Sequence, residues 1–158
     1  ESARLGDYQT ALAPYRDAFP WAFETPIQTP EQLDAALYDV IQIAGLLKLA
    51  EPISGHSTEL LEIAKNHVDE TPPGWGIWST ELRQAQIATI EGDKESAVNW
   101  LNKAWDKQWR FDWRQTLLED AIITQLAGEP GYQELITRFE ADMERQREEA
   151  YVLMDISR

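Results

Sequence analysis

Gly6-Asp7-Tyr8-x-x-Ala11-x-x-x-Tyr15-x-x-Ala18 and Gly92-Asp93-x-x-x-Ala97-x-x-x-Leu101-x-x-Ala104 share one spacing. Steps of five, four and three residues after the glycine place a small, a large or apolar, and a second small residue on one face of a helix. The glycine tolerates a tight bend between antiparallel helices, and the alanines let a neighbouring helix approach closely. A looser copy keeps the offsets at Gly55, Leu60, Ala64 and His67. The interval from Gly6 to Gly55 is too long for one repeat and too short for two, so the array is read as irregular.

Working outward, the chain reads as about seven antiparallel helices with no strand pattern. The first is expected over 7–19, followed by a connector over 20–30 that holds three prolines, Trp21 and Phe23. Thr29-Pro30-Glu31-Gln32 reads as a helix start, with Thr29 the cap and Gln32 reaching back. That helix is expected to run to about Ala50 and to bury Leu33, Leu37, Val40, Ala44 and Leu47. Ser57 is expected to cap a helix ending near Asp69. Thr71-Pro72-Pro73-Gly74-Trp75-Gly76 is a loop. Helices over 79–91 and 94–107 form a complete pair, and two more are expected over 114–126 and 132–153.

Length and composition set the bounds. At 158 residues and 43% hydrophobic, the chain suits a single domain, 1–158, with one sizeable core. No run of about 18 apolar residues is present, so no membrane insertion is expected of this segment. The formal charge of −14 argues against nucleic acid, whose binding rests on Lys and Arg releasing counterions from phosphates. Anionic lipid surfaces are disfavoured for the same reason. Cysteine is absent, which excludes disulfides and thiolate chemistry and leaves cytoplasm and periplasm equally open. Only 1–5 precede Gly6 and the first residue is Glu1, so the chain is read as the C-terminal fragment of a longer protein.

The glycine-aspartate spacing resembles the second helix of a tetratricopeptide repeat (TPR). The tail, with Ala104, Trp109-Arg110, Trp113, Leu126-Ala127-Gly128-Glu129-Pro130 and Tyr132-x-x-Leu135, is similar to the end of TPR regions in bacterial signalling and transcription-regulator proteins. The resemblance implies an all-α, TPR-like helical-repeat array with a long C-terminal capping helix. It also implies a non-catalytic role in protein interaction or sensing, with a protein or peptide as partner. The family's groove positions fall on Tyr38, Ile41, Gly45 and Lys48 of one helix, and on Ser79, Leu82, Gln86 and Thr89 of another. The Lys and Asn residues that clamp a terminal carboxylate in some members are missing. Glu81 and Gln84 stand where the family prefers apolar residues.

Seven tryptophans invite two readings, an aromatic platform for a peptide or sugar, or filler between irregularly packed helices. Trp100, Trp105, Trp109 and Trp113 read as filler, whereas Trp75 and Trp78, beside Pro72-Pro73-Gly74, are candidates for a binding surface. Catalysis is not expected. His56 and His67 are three helical turns apart, about 16 Å, too far to share a metal. No Gly-rich phosphate loop or Gly-x-Ser-x-Gly elbow occurs, and no cofactor or metal is expected. A carbohydrate-active helical protein, with Trp stacking sugars and paired carboxylates, is the alternative from another class.

The last helix carries a heptad-like stripe: Tyr132, Ile136, Phe139, Met143, Gln146, Ala150 and Leu153. Up to Met143 it reads as a cap closing the array, supported by an Arg138–Asp142 pair. Ile136, Phe139, Met143, Ala150 and Leu153 together form a possible homodimer seam, the alternative function within the binding class.

Overall fold

The Gly92-Asp93 pair performs two tasks in the computed structural model, which describes residues 6–28, 33, 36–53, 55–70 and 80–156. Gly92 has a φ of 86°, a left-handed backbone that a side chain would strain, with no neighbouring atom to forbid a β-carbon. There the N–H of Gly92 donates to Thr89 and that of Asp93 to Ala88, at 3.1 and 2.9 Å. This double return satisfies the end of one helix. Asp93 then starts the next, its carboxylate accepting the Ser96 N–H at 3.0 Å. Gly6 (φ 80°) and Asp7, which accepts from Thr10, repeat the left-handed glycine and the capping carboxylate. The loose third copy does not, because Gly55 opens a helix.

The described residues form six α-helices and no strand: α1 Tyr8–Ala18, α2 Leu37–Ala50, α3 Gly55–Glu70, α4 Thr80–Glu91, α5 Lys94–Asp106 and α6 Pro130–Ile156. Short helical turns cover Pro20–Phe23, Gln115–Glu119 and Ile123–Leu126. α1 packs on α2, α2 on α3 and α4, α3 on α4, α4 on α5, and α5 on α6. The central helices α2 and α4 are buried nearly all round, over 40–47 and 85–90. Leu33, Leu37, Val40, Ala44 and Leu47 all lie in the core.

Burial falls into two clusters. One joins α1, α2 and α3 through Leu12, Leu37, Ile43, Leu60 and Ala64. The other joins α4, α5 and α6 through Leu82, Leu101, Leu135 and Phe139. The segment 117–126 contributes to both, with Ala121 and Ile122 in the first and Leu117, Ile123 and Leu126 in the second.

Four local expectations are corrected. Ser57 lies inside α3 rather than at its cap, and its hydroxyl donates to the Ala44 carbonyl at 2.8 Å, tying α3 to α2. The helix expected over 114–126 is interrupted: a π-type turn over Gln115–Glu119 stops at Asp120, and a 3-10 turn restarts at Ile123. Asp120 Oδ1 accepts the N–H groups of Ile122 and Ile123 at 2.8 and 3.0 Å, a capping geometry that competes with continued helix. The helix placed over 29–50 begins at Leu37 in the structure, while Thr29, Pro30 and Gln32 lie outside the described residues. α6 runs longer than expected, with Pro130 suited to the first turn, where no N–H is required.

Candidate functional site

The face shared by α2 and α4 is covered by the chain itself. Asp120 Oδ2 accepts from Gln42 Nε2 of α2 at 2.6 Å and from Gln86 Nε2 of α4 at 3.2 Å. Ile122 lies directly over Gly45, where the absence of a β-carbon makes room for it. The broken segment 115–126 thus crosses the position where the resemblance places an open groove.

The proposed groove residues are distributed accordingly. Ile41, Leu82, Gln86 and Thr89 are all buried, so none lines an accessible groove in this conformation. Ile41 belongs to the cluster holding Ile122, and Leu82 to the one holding Leu117 and Ile123. Thr89 returns its hydroxyl to Ala85 at 2.8 Å. Tyr38 is half-buried, and burial first, then the nearby Asp120 charge, pushes its phenol above the ordinary range. Lys48 alone of the described set is exposed. Ser79, Trp75 and Trp78 lie outside the described residues. Glu81, which departs from the family pattern, is 7% exposed and bonded to Lys107 from the end of α5.

Three of the four bunched tryptophans surround Phe139, while Trp100 lies under Lys103 at 3.8 Å. Trp105 and Trp109 meet its ring edge-on at 4.6 and 5.6 Å, and Trp113 stacks on it at 5.1 Å. Trp109 and Trp113 are buried, so neither offers a face to a sugar. Arg110 locks the cluster: its guanidinium sits 3.6 Å over Trp105, donates to the Trp105 and Trp109 carbonyls, and pairs with Asp142 at 2.9 Å. The Arg110 and Arg145 hydrogen bonds hold the Asp142 carboxyl below the ordinary range. Asp142 therefore does not pair with Arg138 as expected, and Arg138 bonds Asn102 at 2.8 Å.

The stripe on α6 divides in two. Phe139 is fully buried and so is not available as a dimer seam, while Ile136 and Met143 are partly buried against the same cluster. From residue 144 to 153 every residue is exposed, Ala150 included. Tyr151, Val152 and Leu153 are 60%, 59% and 66% exposed, an apolar end on an otherwise charged helix.

Among the described residues no group of His, Asp and Glu is placed to hold a metal ion. His56 Nε2 lies 2.6 Å from the Ala22 carbonyl, a contact that ties α3 to the 20–23 turn. No helix among the described residues is long and apolar enough to cross a membrane. Sequence reading passed over Asp120 and Gln42, and named Arg110 without its role in the tryptophan cluster. For Asp120 a signal existed, since the adjacent carboxylates Glu119 and Asp120 interrupt the apolar run Leu117-Leu118-Glu119-Asp120-Ala121-Ile122-Ile123. No protein family, curated protein or solved structure matches this chain.

Proposed function

We propose that this chain is a non-catalytic protein-interaction or sensing module with a TPR-like architecture, acting within a larger bacterial signalling protein and taking a protein or peptide as partner. The observation that carries the reading is the packing order. α2 lies against α3 and α4, α3 against α4, and α4 against α5, the nearest-neighbour contacts by which helical hairpins stack into an array. The surface left to a partner is then Lys48 with the exposed edge of Tyr38, and the projecting end of α6.

Homodimerisation through α6 is a second reading, favoured by the exposed Tyr151, Val152 and Leu153 beyond the body of the domain. Light scattering on the whole chain and on a version ending at Arg145 separates the two. A dimer that becomes a folded monomer on truncation makes self-association the function. A monomer in both cases directs attention to a heterologous partner, sought by capture from host extract with Lys48→Glu as the control. Capture that retains nothing beyond an unrelated acidic helical protein would overturn the interaction reading.

A further inference from the structure

Tyr15 of α1 and Tyr38 of α2 lie within reach of both the Asp120 and the Asp39 charges, and Tyr15, Tyr38 and Asp39 are all half-buried. Tyr38 stands one helical turn from Gln42, on the α2 face that Gln42 bonds to Asp120 at 2.6 Å. Gln86 of α4 completes the group: its Nε2 is 3.2 Å from Asp120 Oδ2, and its amide reaches the Tyr38 phenol. Asp120 itself is saturated, since its two oxygens accept from Ile122, Ile123, Gln42 and Gln86. Its neighbours are not. The side chains of Asp39 and Tyr15 make no hydrogen bond or ion pair among the described residues. Gln86 is fully buried, and its Oε1, on the amide that meets Asp120 and Tyr38, has no hydrogen-bond partner. A buried acceptor in that state costs on the order of a lost hydrogen bond.

We propose that Tyr15, Tyr38, Asp39 and Gln86 form a subsite for a cationic side chain, the lysine or arginine of a basic peptide, an inference that rests on the peptide-partner reading above. The Asp39 carboxylate and Gln86 Oε1 are acceptors, and the Tyr15 phenol can accept as well. An ammonium offers three donors and a guanidinium five, and neither carries an acceptor. The charge already in place has one sign. Asp39 and Asp120 both act on Tyr15 and Tyr38, and no cation acts on Tyr15 or is bonded to Asp39 or Asp120 among the described residues. Burial raises the Asp39 carboxyl, and no hydrogen bond offsets it. An anionic ligand would add to the repulsion, and a neutral one would leave the half-buried carboxylate uncompensated. The alkyl stem of lysine or arginine can lie along the half-buried tyrosines while its charged head meets the acceptors. The formal charge of −14 draws a basic peptide in from a distance.

The test follows the ring signals of Tyr15 and Tyr38 by NMR in the whole chain, each assigned by its loss in Tyr15→Phe or Tyr38→Phe. The probes are short alanine peptides, blocked at both ends, with lysine, arginine or norleucine at the centre. The lysine or the arginine peptide is expected to shift both rings saturably, and the norleucine peptide neither. Asp39→Asn is expected to weaken that binding about tenfold. Glu59→Gln, which removes an exposed charge from α3, is expected to change it by less than about twofold. Equal losses from the two changes, or shifts that never saturate, reduce the effect to net charge and overturn the proposal. Should Asp39→Asn fail to fold, Tyr15→Phe is expected to weaken binding about threefold, and an unchanged affinity overturns the proposal. Binding of n-butylammonium as tight as that of the lysine peptide assigns the site to free amines and overturns the peptide as its occupant. If no probe moves the rings while capture from host extract still retains a partner, the subsite falls and the interaction reading stands.

Discussion

Ile122 occupies the place of the side chain that Gly45 lacks: a β-carbon on Gly45 would stand 2.4 Å from Ile122 Cδ1 and 2.5 Å from Cγ1. Contacts that short cannot persist, and Ile122 is buried with little room to withdraw. Gly45→Ala gains about 1 kcal/mol of helix propensity and loses about 1–3 kcal/mol to overpacking. A net loss of about 1 kcal/mol is expected in urea unfolding. Combining it with Ile122→Ala should recover about 1 kcal/mol relative to the sum of the single changes. Strict additivity would show that the two residues do not share this space.

The ends of α4 and α5 use the same double-return turn with different residues. Gln108 follows α5 with a φ of 66°, its N–H donating to Trp105 and that of Trp109 to Ala104. A left-handed backbone at a residue other than glycine costs about 1 kcal/mol. Gln108→Gly should therefore stabilise the protein by up to about 1 kcal/mol, and Gly92→Ala should destabilise it by a similar amount. Equal and small effects from both would contradict this account.

These turns show where the sequence was readable. Gly-Asp announces a stop and a start at 92–93 and a start at 6–7, because only glycine accepts that backbone freely and aspartate caps the following helix. The all-helical class and the cores of α2 and α5 follow from apolar spacing. Residues 114–126 carry equally helical spacing, yet the helix fails there, because Asp120 caps Ile122 and Ile123 with one oxygen and meets Gln42 and Gln86, 78 and 34 residues away, with the other. No local pattern encodes such partners. The groove residues misled for the same reason: their register describes one side of a helix, not what the rest of the chain lays upon it.

Phe139 and Leu153 lie on one stripe of α6 but differ completely in environment, being 0% and 66% exposed. Phe139→Ala is expected to cost about 3–5 kcal/mol and to abolish the near-ultraviolet circular dichroism of the tryptophan cluster. Leu153→Ala should stay within about 0.5 kcal/mol of wild type. A large loss at Leu153 in dilute monomer would show that the end of α6 is packed.

Acid should expose the helix starts. Hydrogen bonds from Thr10 and Ser96 lower the carboxyls of Asp7 and Asp93 below the ordinary 3.8. A lowered folded value contributes stability above the unfolded value, and this is lost as pH falls through the folded one. Asp93→Asn keeps an acceptor for Ser96 but cannot titrate, so its melting temperature should fall less steeply than wild type on acidification below about pH 4. Parallel acid limbs in melting experiments would exclude Asp93 as a source of that dependence.

Stacked hairpins ordinarily lengthen and shorten by whole units, since each one touches only its neighbours and a duplicated unit finds the same welcome as the original. The Gln42–Asp120 bond removes that freedom here. A hairpin inserted or deleted between α2 and residue 120 would carry the carboxylate past its glutamine and Ile122 past Gly45. The stretch between α2 and residue 120 is therefore fixed at one length, open to change by substitution but closed to growth by duplication.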